Sequence, residues 1–300
     1  MIYTVTFNPS VDYVVRLPKV TVGGLNRTDD TEKYAGGKGI NVSRVLKQLD
    51  TETTALGFCG GFTGQFIKDA LESEGINQNF IEVEGDTRIN IKLKTGAETE
   101  INAAGPSIRD RHIIQLKAQL KTMTKDDHVV FAGSVPNGFD YLYQELADIL
   151  SAKGIPFTID AEDSKLTSTL QYMPNLIKPN RVELAGVVRR ELTSETDITA
   201  AAMEMVEKGA QNVLVTLGRE GAIFVNKDYQ YRIPSPKGIL RNSVGAGDST
   251  VAGFISRKDC SIEERIRYAI ACGSATAFSD DLAQKENIGA LLKEIEIQPI

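Results

Sequence analysis

The residues best placed to do chemistry sit in the run Asn242-Ser243-Val244-Gly245-Ala246-Gly247-Asp248-Ser249-Thr250. Three tiny residues let a backbone pass close to a ligand. The helix expected after them points its unbonded N–H groups and the positive end of its dipole at the same place. Gly245, Ala246 and Gly247 therefore read as an anion hole, with Asp248 in the first turn of the helix. A carboxylate there can be no more than a helix cap. Beside an anion hole it can also accept a hydroxyl proton while the amides hold charge on a transferring group, which is the chemistry of phosphoryl transfer.

A second small-residue turn, Ala35-Gly36-Gly37-Lys38-Gly39-Ile40-Asn41, opens an amphipathic helix with Ile40, Val45, Leu46 and Leu49 on its buried side. No Ser or Thr follows Gly37-Lys38 as a Walker-type loop requires, and the G-x-G-x-x-G fingerprint of a nicotinamide oxidoreductase is missing there. Pro179 favours a helix start at Asn180, which places Asn180 and Glu183 on one face. They either cap that helix or hold magnesium through water, since the hard ion favours oxygen ligands and keeps its waters. Thr216-Leu217-Gly218-Arg219-Glu220-Gly221 ends a strand with two glycines, as a ligand loop or a hairpin turn would.

The elements that must position these groups are legible as alternation. Strands are predicted at 2–7, 53–58, 127–132, 155–160 and 211–217, and helical stripes at Phe66, Ile67, Ala70, Leu71 and at Ile113, Leu116, Leu120, Met123. Such alternation forces parallel strands joined by crossover helices, an α/β fold. Ser261-Ile262-Glu263-Glu264 reads as a capping box, and Ser107 and Ser194, each three residues before an Asp, resemble it more weakly. Two stretches break the pattern: 12–35 is polar without helical period, and 88–103 alternates strictly about a Thr95-Gly96 turn. They predict a small sheet that covers the ligand edge and offers a surface for pairing subunits. A second hairpin is expected at 222–233, and the 300 residues read as one domain with lid segments at about 12–35 and 88–104.

Composition narrows the field. With 34 Lys and Arg against 40 Asp and Glu, a net charge of -6 and no long run of one sign, non-specific nucleic-acid binding is disfavoured. Two histidines cannot build a multi-histidine zinc site, and His128, just before Val129-Val130-Phe131, reads as the start of a strand. Cys59, Cys260 and Cys272 read as reduced packing residues. No basic residue precedes Arg16 and no apolar run reaches the length of a signal peptide or membrane span, so a cytoplasmic protein without membrane partners is expected.

Taken together, Gly-Gly-Lys-Gly-Ile-Asn at 36–41, Asn-Arg-Val-Glu at 180–183, the loop at 216–221 and Val-Gly-Ala-Gly-Asp at 244–248 resemble, in order and nearly from end to end, the ribokinase-type (phosphofructokinase B) carbohydrate kinases. The resemblance implies a ribokinase-like fold: a central, mostly parallel sheet with helices on both faces and a small β-sheet lid that commonly pairs two chains as a homodimer. It implies Asp248 as catalytic base beside the Gly245–Gly247 anion hole. By the same carry-over, Asn180 and Glu183 organise magnesium, Lys178 lies near the nucleotide phosphates, and Thr216 to Gly221, with Gly247 and Asp248, contact ATP. Asp12 would meet sugar hydroxyls, with Gly37, Lys38 and Asn41 beside it.

A sugar that already carries a phosphate needs fixed positive charge. Arg88, Asn90 and Lys92 alternate along one strand and so share a face; with Lys38, and Arg27 as a further candidate, they form either a phosphate clamp or a solvated edge. Thr87-Arg88-Ile89-Asn90-Ile91-Lys92 resembles the branch of the family that phosphorylates fructose 1-phosphate to fructose 1,6-bisphosphate with MgATP. The neighbouring alternative is the branch acting on tagatose 6-phosphate. A non-catalytic sensor of sugar phosphate and nucleotide is the alternative of another class, against which the intact Asp248 counts.

Overall fold

The computed structural model describes residues 1–95, 98–136 and 138–300, so part of the expected Thr95-Gly96 turn lies outside the described residues. In chain order, β1 (Ile2–Thr6), β2 (Ser10–Arg16) and β3 (Thr31–Gly36) precede α1 (Lys38–Gln48), β4 (Thr53–Cys59) and α2 (Gly61–Ser73). Short β5 (Asn77–Gln78) and β6 (Ile81–Glu82) lead to β7 (Arg88–Lys94), β8 (Glu98–Asn102) and α3 (Asp110–Lys121). Then come β9 (His128–Ala132), α4 (Leu142–Ala152), β10 (Phe157–Asp160), α5 (Asp163–Thr167), β11 (Leu176–Ile177), α6 (Arg181–Val188), α7 (Glu195–Glu207) and β12 (Asn212–Thr216). The last elements are β13 (Ala222–Asn226), β14 (Gln230–Ile233), α8 (Ala246–Ser256), α9 (Ile262–Ala277), α10 (Lys285–Leu291) and β15 (Gln298–Pro299).

The large sheet runs β15-β14-β13-β12-β11-β10-β9-β1-β4-β5, with β6 also beside β4. It is parallel from β5 to β12, and antiparallel where the predicted 222–233 hairpin and β15 extend it. All five predicted strands are present within a residue or two. Because side chains alternate across a strand, Val129 and Phe131 pack with α3, α4 and α7 through Leu116, Tyr143 and Met205. Val130 and Ala132 pack on the opposite face against α1, α8 and α9 through Val45, Phe254 and Ala269. This is the ribokinase-like α/β architecture, with helices covering both faces.

Helix starts follow their sequence signals where the chain has room. Ser194 caps α7 reciprocally with Asp197, and the Ser261 hydroxyl accepts the Glu264 N–H. The expected cap at Ser107 is not used: α3 begins two residues later, and the His112 ring accepts the Arg109 N–H at 3.1 Å. Residues 103–109 carry the chain back from the small sheet without regular secondary structure, tethered by Asn8 Nδ2 to the Ala104 carbonyl. His128 does start β9, buried and bonded to Thr158 Oγ1, and burial, assisted by the Arg265 and Lys258 charges, pushes its pKa down to about 3. Cys59 and Cys272 are buried as expected, whereas Cys260 is exposed in the turn after α8.

The two stretches that break the alternation form the second sheet, in the order β3-β2-β7-β8. Its central pair is parallel, with Asp12 opposite Asn90. Along β7 the usual pattern is inverted: Asn90 and Lys92 are buried and Arg88 half-buried, while Ile89 between them is exposed. Among the described residues no helix is long and apolar enough to cross a membrane.

Candidate active site

A cavity of about 1130 Å³ runs between the two sheets at the carboxyl ends of the parallel strands. One end is lined by Asp12, Arg88, Asn90 and Lys92 from the second sheet, and the other by Thr216, Gly218, Arg219 and Gly221. Gly37, Lys38, Asn41, Lys178, Asn180, Glu183 and the Gly245–Asp248 turn lie along it. Leu217 and Glu220 do not line it. The Leu217 side chain turns into the core, and Glu220 is paired with Arg181 at 2.6 Å. Arg27 is exposed in the loop between β2 and β3 and is not among the lining residues.

Asp248 sits in the first turn of α8, whose cap residue Gly245 has φ +79°, the left-handed region that glycine enters at little cost. A methyl group at Gly245 would lie 2.5 Å from Leu282 Cδ2, the movable tip of a side chain, so it is the torsion that favours glycine. The side chain is not spent on capping its own helix: Oδ2 accepts from Asn41 Nδ2 at 2.8 Å, across the α1–α8 contact. Among the turn's amides, Ala246 N–H reaches the Ser243 carbonyl at a long 3.4 Å, whereas Gly247 and Asp248 fall in the first turn, where no carbonyl four residues earlier is available. Lys178 Nζ lies directly over the backbone here, 3.0 Å from where a Gly247 Cβ would be.

Sequence reasoning missed Asp160. It ends β10, is 2% exposed, and stands between Lys178 Nζ at 3.3 Å and Lys38 Nζ at 3.6 Å. Burial pushes its carboxyl up, but the two ammonium groups outweigh this and hold it below the usual carboxylate range. Asp248 moves the other way: burial first and the Asp160 charge second push it up to about 6, against Lys38, Asn41 and Lys178. Asp160 in turn holds Lys38 protonated, above the ordinary lysine range despite its burial. A polar residue at the carboxyl end of a central strand was the available signal. Also missed was the wall at the Thr216 end, made by the Ser235-Pro236-Lys237-Gly238 loop with Leu240 and by Gly273, Ser274, Ala277 and Phe278 near the end of α9.

Asn180 and Glu183 form a reciprocal capping box, each bond 2.8 Å, so the ordinary cap role is real. It uses Glu183 Oε2 and leaves Oε1 outside the box, while Asp160 Oδ2 makes no hydrogen bond and faces Lys38 Nζ at 3.6 Å. Oxygen atoms of this kind, on a wall that also carries Lys178, suit a water-bound magnesium phosphate. At the opposite end, Gly36 makes room for Asp12, whose Cγ is 2.5 Å from where a Gly36 Cβ would stand. The glycine thus admits the chain's own carboxylate.

Residues 5–285 match the profile described as the pfkB family carbohydrate kinases. This chain belongs to that family. The 1-phosphofructokinase of Bacillus subtilis is 44% identical over 99% of both chains. A D-tagatose-1-phosphate kinase of Bacillus licheniformis is 36% identical, again over 99% of both. Among solved structures, a Staphylococcus aureus protein provisionally described as a phosphofructokinase superposes with a TM-score of 0.90 at 48% identity, covering 100% of this chain and 99% of that one. The pfkB-family kinase fold is thus continuous through both sheets, and the inward-facing polar residues of β7 belong to its cavity wall.

Proposed function

We propose that the protein transfers the γ-phosphoryl group of MgATP to the 6-hydroxyl of fructose 1-phosphate, giving fructose 1,6-bisphosphate and ADP. The carrying observation is that one cavity joins Asp248, on the amide-rich start of α8, to a cationic sugar end at Arg88 and a glycine-rich end at Thr216–Gly221. Relatives whose names specify a phosphate at carbon 1 support that acceptor over tagatose 6-phosphate.

Asp12 takes sugar hydroxyls, and Arg88, whose Nε is unpartnered, takes the existing phosphate; Asn90 donates Nδ2 to Asp12 Oδ1 at 3.5 Å, and its unpartnered Oδ1 is an acceptor for a sugar hydroxyl. Asp248, held by Asn41, orients the acceptor hydroxyl and receives its proton as the P–O bond forms. The first-turn amides of α8, with Lys178 above them, hold the charge that develops on the transferring oxygens. Asn180 and Glu183 would hold magnesium through water, and the ion would there neutralise charge on the nucleotide phosphates. The apolar Ile89 and Ile101, 40% and 54% exposed on the small sheet, support pairing of two chains through it.

ADP release with MgATP and, separately, fructose 1-phosphate, tagatose 6-phosphate, fructose 6-phosphate, fructose and adenosine tests this reading. Preference for fructose 1-phosphate is expected. Preference for tagatose 6-phosphate moves the acceptor, and ligand binding without turnover makes the protein a sensor. Arg88→Ala is expected to raise KM for the sugar phosphate about 10- to 100-fold, as loss of a hydrogen bond to a charged group does, and to leave KM for ATP within about twofold. Equal effects on both ligands would remove Arg88 from the sugar end.

A further inference from the structure

We propose that Lys92 positions Asp12 and does not hold the substrate's phosphate, which falls to the Arg88 end of the same strand. The inference rests on the sugar-phosphate reading above and divides the labour within it.

Lys92 Nζ lies 3.1 Å from Asp12 Oδ2 and 3.9 Å from Glu100 Oε1. Its side chain is 10% exposed and that of Asp12 16%, so the pair is largely shielded from water. Asp12 Oδ1 accepts from Ser10 Oγ at 2.7 Å and from Asn90 Nδ2 at 3.5 Å. Gly36 closes against the Asp12 carboxyl carbon from behind. Asp12 is thus fixed on both oxygens and on one flank, and presents a rigid acceptor to sugar hydroxyls.

Charge balance carries the rest. One ammonium shared by two carboxylates sums to a negative cluster, so a phosphate dianion approaching Lys92 meets like charge within 4 Å of that nitrogen. Arg88, two pleat repeats away on the same face, has no carboxylate within ion-pair distance among the described residues. Its Nε is buried without a partner among the described residues, and Nη1 donates to the Ala103 carbonyl at 3.2 Å. The wall is therefore cationic at Arg88 and net anionic at Lys92, although the two residues look equivalent in sequence.

The test is a double-mutant cycle of Lys92→Met and Asp12→Asn, with Lys92→Arg as rescue and a crystal structure of Lys92→Met. Lys92→Met is expected to raise KM for fructose 1-phosphate about tenfold in the parent and less than about threefold in the Asp12→Asn background, since coupled residues are non-additive. KM for ATP and kcat should stay within about twofold, Lys92→Arg should recover most of the loss, and Asp12 should leave its place in the crystal structure. An equal loss in both backgrounds, or an unmoved Asp12, overturns the proposal. If the unaltered protein phosphorylates no sugar phosphate, the functional reading fails by itself, and the position of Asp12 still decides the role of Lys92.

Discussion

Asp248→Asn is expected to fold, to bind nucleotide and sugar phosphate at near-normal affinity, and to lose roughly a hundredfold to ten-thousandfold in kcat, the range a positioned general base supplies. Asn keeps the shape and can still meet Asn41, so the loss reports the proton acceptor and not the architecture. As the proposed base, the same residue is expected to set the acid limb of activity. With its pKa pushed up to about 6 by burial and by Asp160, the carboxylate is protonated and inactive below that value, so kcat/KM should fall tenfold per pH unit beneath about 6. Stability runs the opposite way. A folded pKa above the unfolded value of about 3.9 means the native state holds this proton more tightly, and its contribution is lost as pH rises through about 6. At pH 8 the ionised Asp248 is a cost that Asn removes, so Tm of the variant should equal or exceed that of the parent. Retention of most turnover, or a pH profile flat down to pH 5, would unseat Asp248 as the base.

The largest stability effect is expected at Asp160. Asp160→Ala removes the buried partner of both Lys38 and Lys178, and an uncompensated buried charge costs about 3–5 kcal/mol. Urea unfolding at pH 7.5 measures it. Because Asp160 is held below the ordinary carboxylate range, its contribution is present above about pH 4 and disappears as pH falls through its folded pKa. The difference between variant and parent should therefore shrink in acid. The milder Asp160→Asn yields a second readout: without the Asp160 charge, and with two lysines freed to face it, Asp248 ionises more easily and the acid limb moves below pH 6. Unchanged stability together with an unmoved limb would show that Asp160 is a bystander.

What the sequence made legible was whatever local spacing encodes. Alternating β-branched runs fixed the strands, and the small residues before Asp248 marked a turn that does admit close approach. Asp160 escaped because a single Asp at a strand end has no local pattern; its meaning comes from Lys38, Lys178 and Asp248, brought together from four separate segments. The parallel β2–β7 pairing escaped for the same reason, since the hairpin at 88–103 says nothing of a neighbour near residue 12. Of the run 216–221, Thr216, Gly218, Arg219 and Gly221 line the cavity, whereas the turn at Gly218 sends Leu217 inward and Glu220 to Arg181.

The packing of α1 on α8 also orders events while the chain is being made. Asn41 and Asp248 stand 207 residues apart, and Val42, Val45 and Leu46 share their core with Val251, Phe254 and Ile255. At ribosomal rates of about 5–20 residues per second, α1 waits about 10–40 s for the helix that covers it. Its half of the sheet is by then able to assemble, with an apolar face open to any other nascent chain. The Asn41–Asp248 pair belongs to the contact that covers this apolar face, so acquisition of activity and loss of stickiness are expected to coincide during refolding.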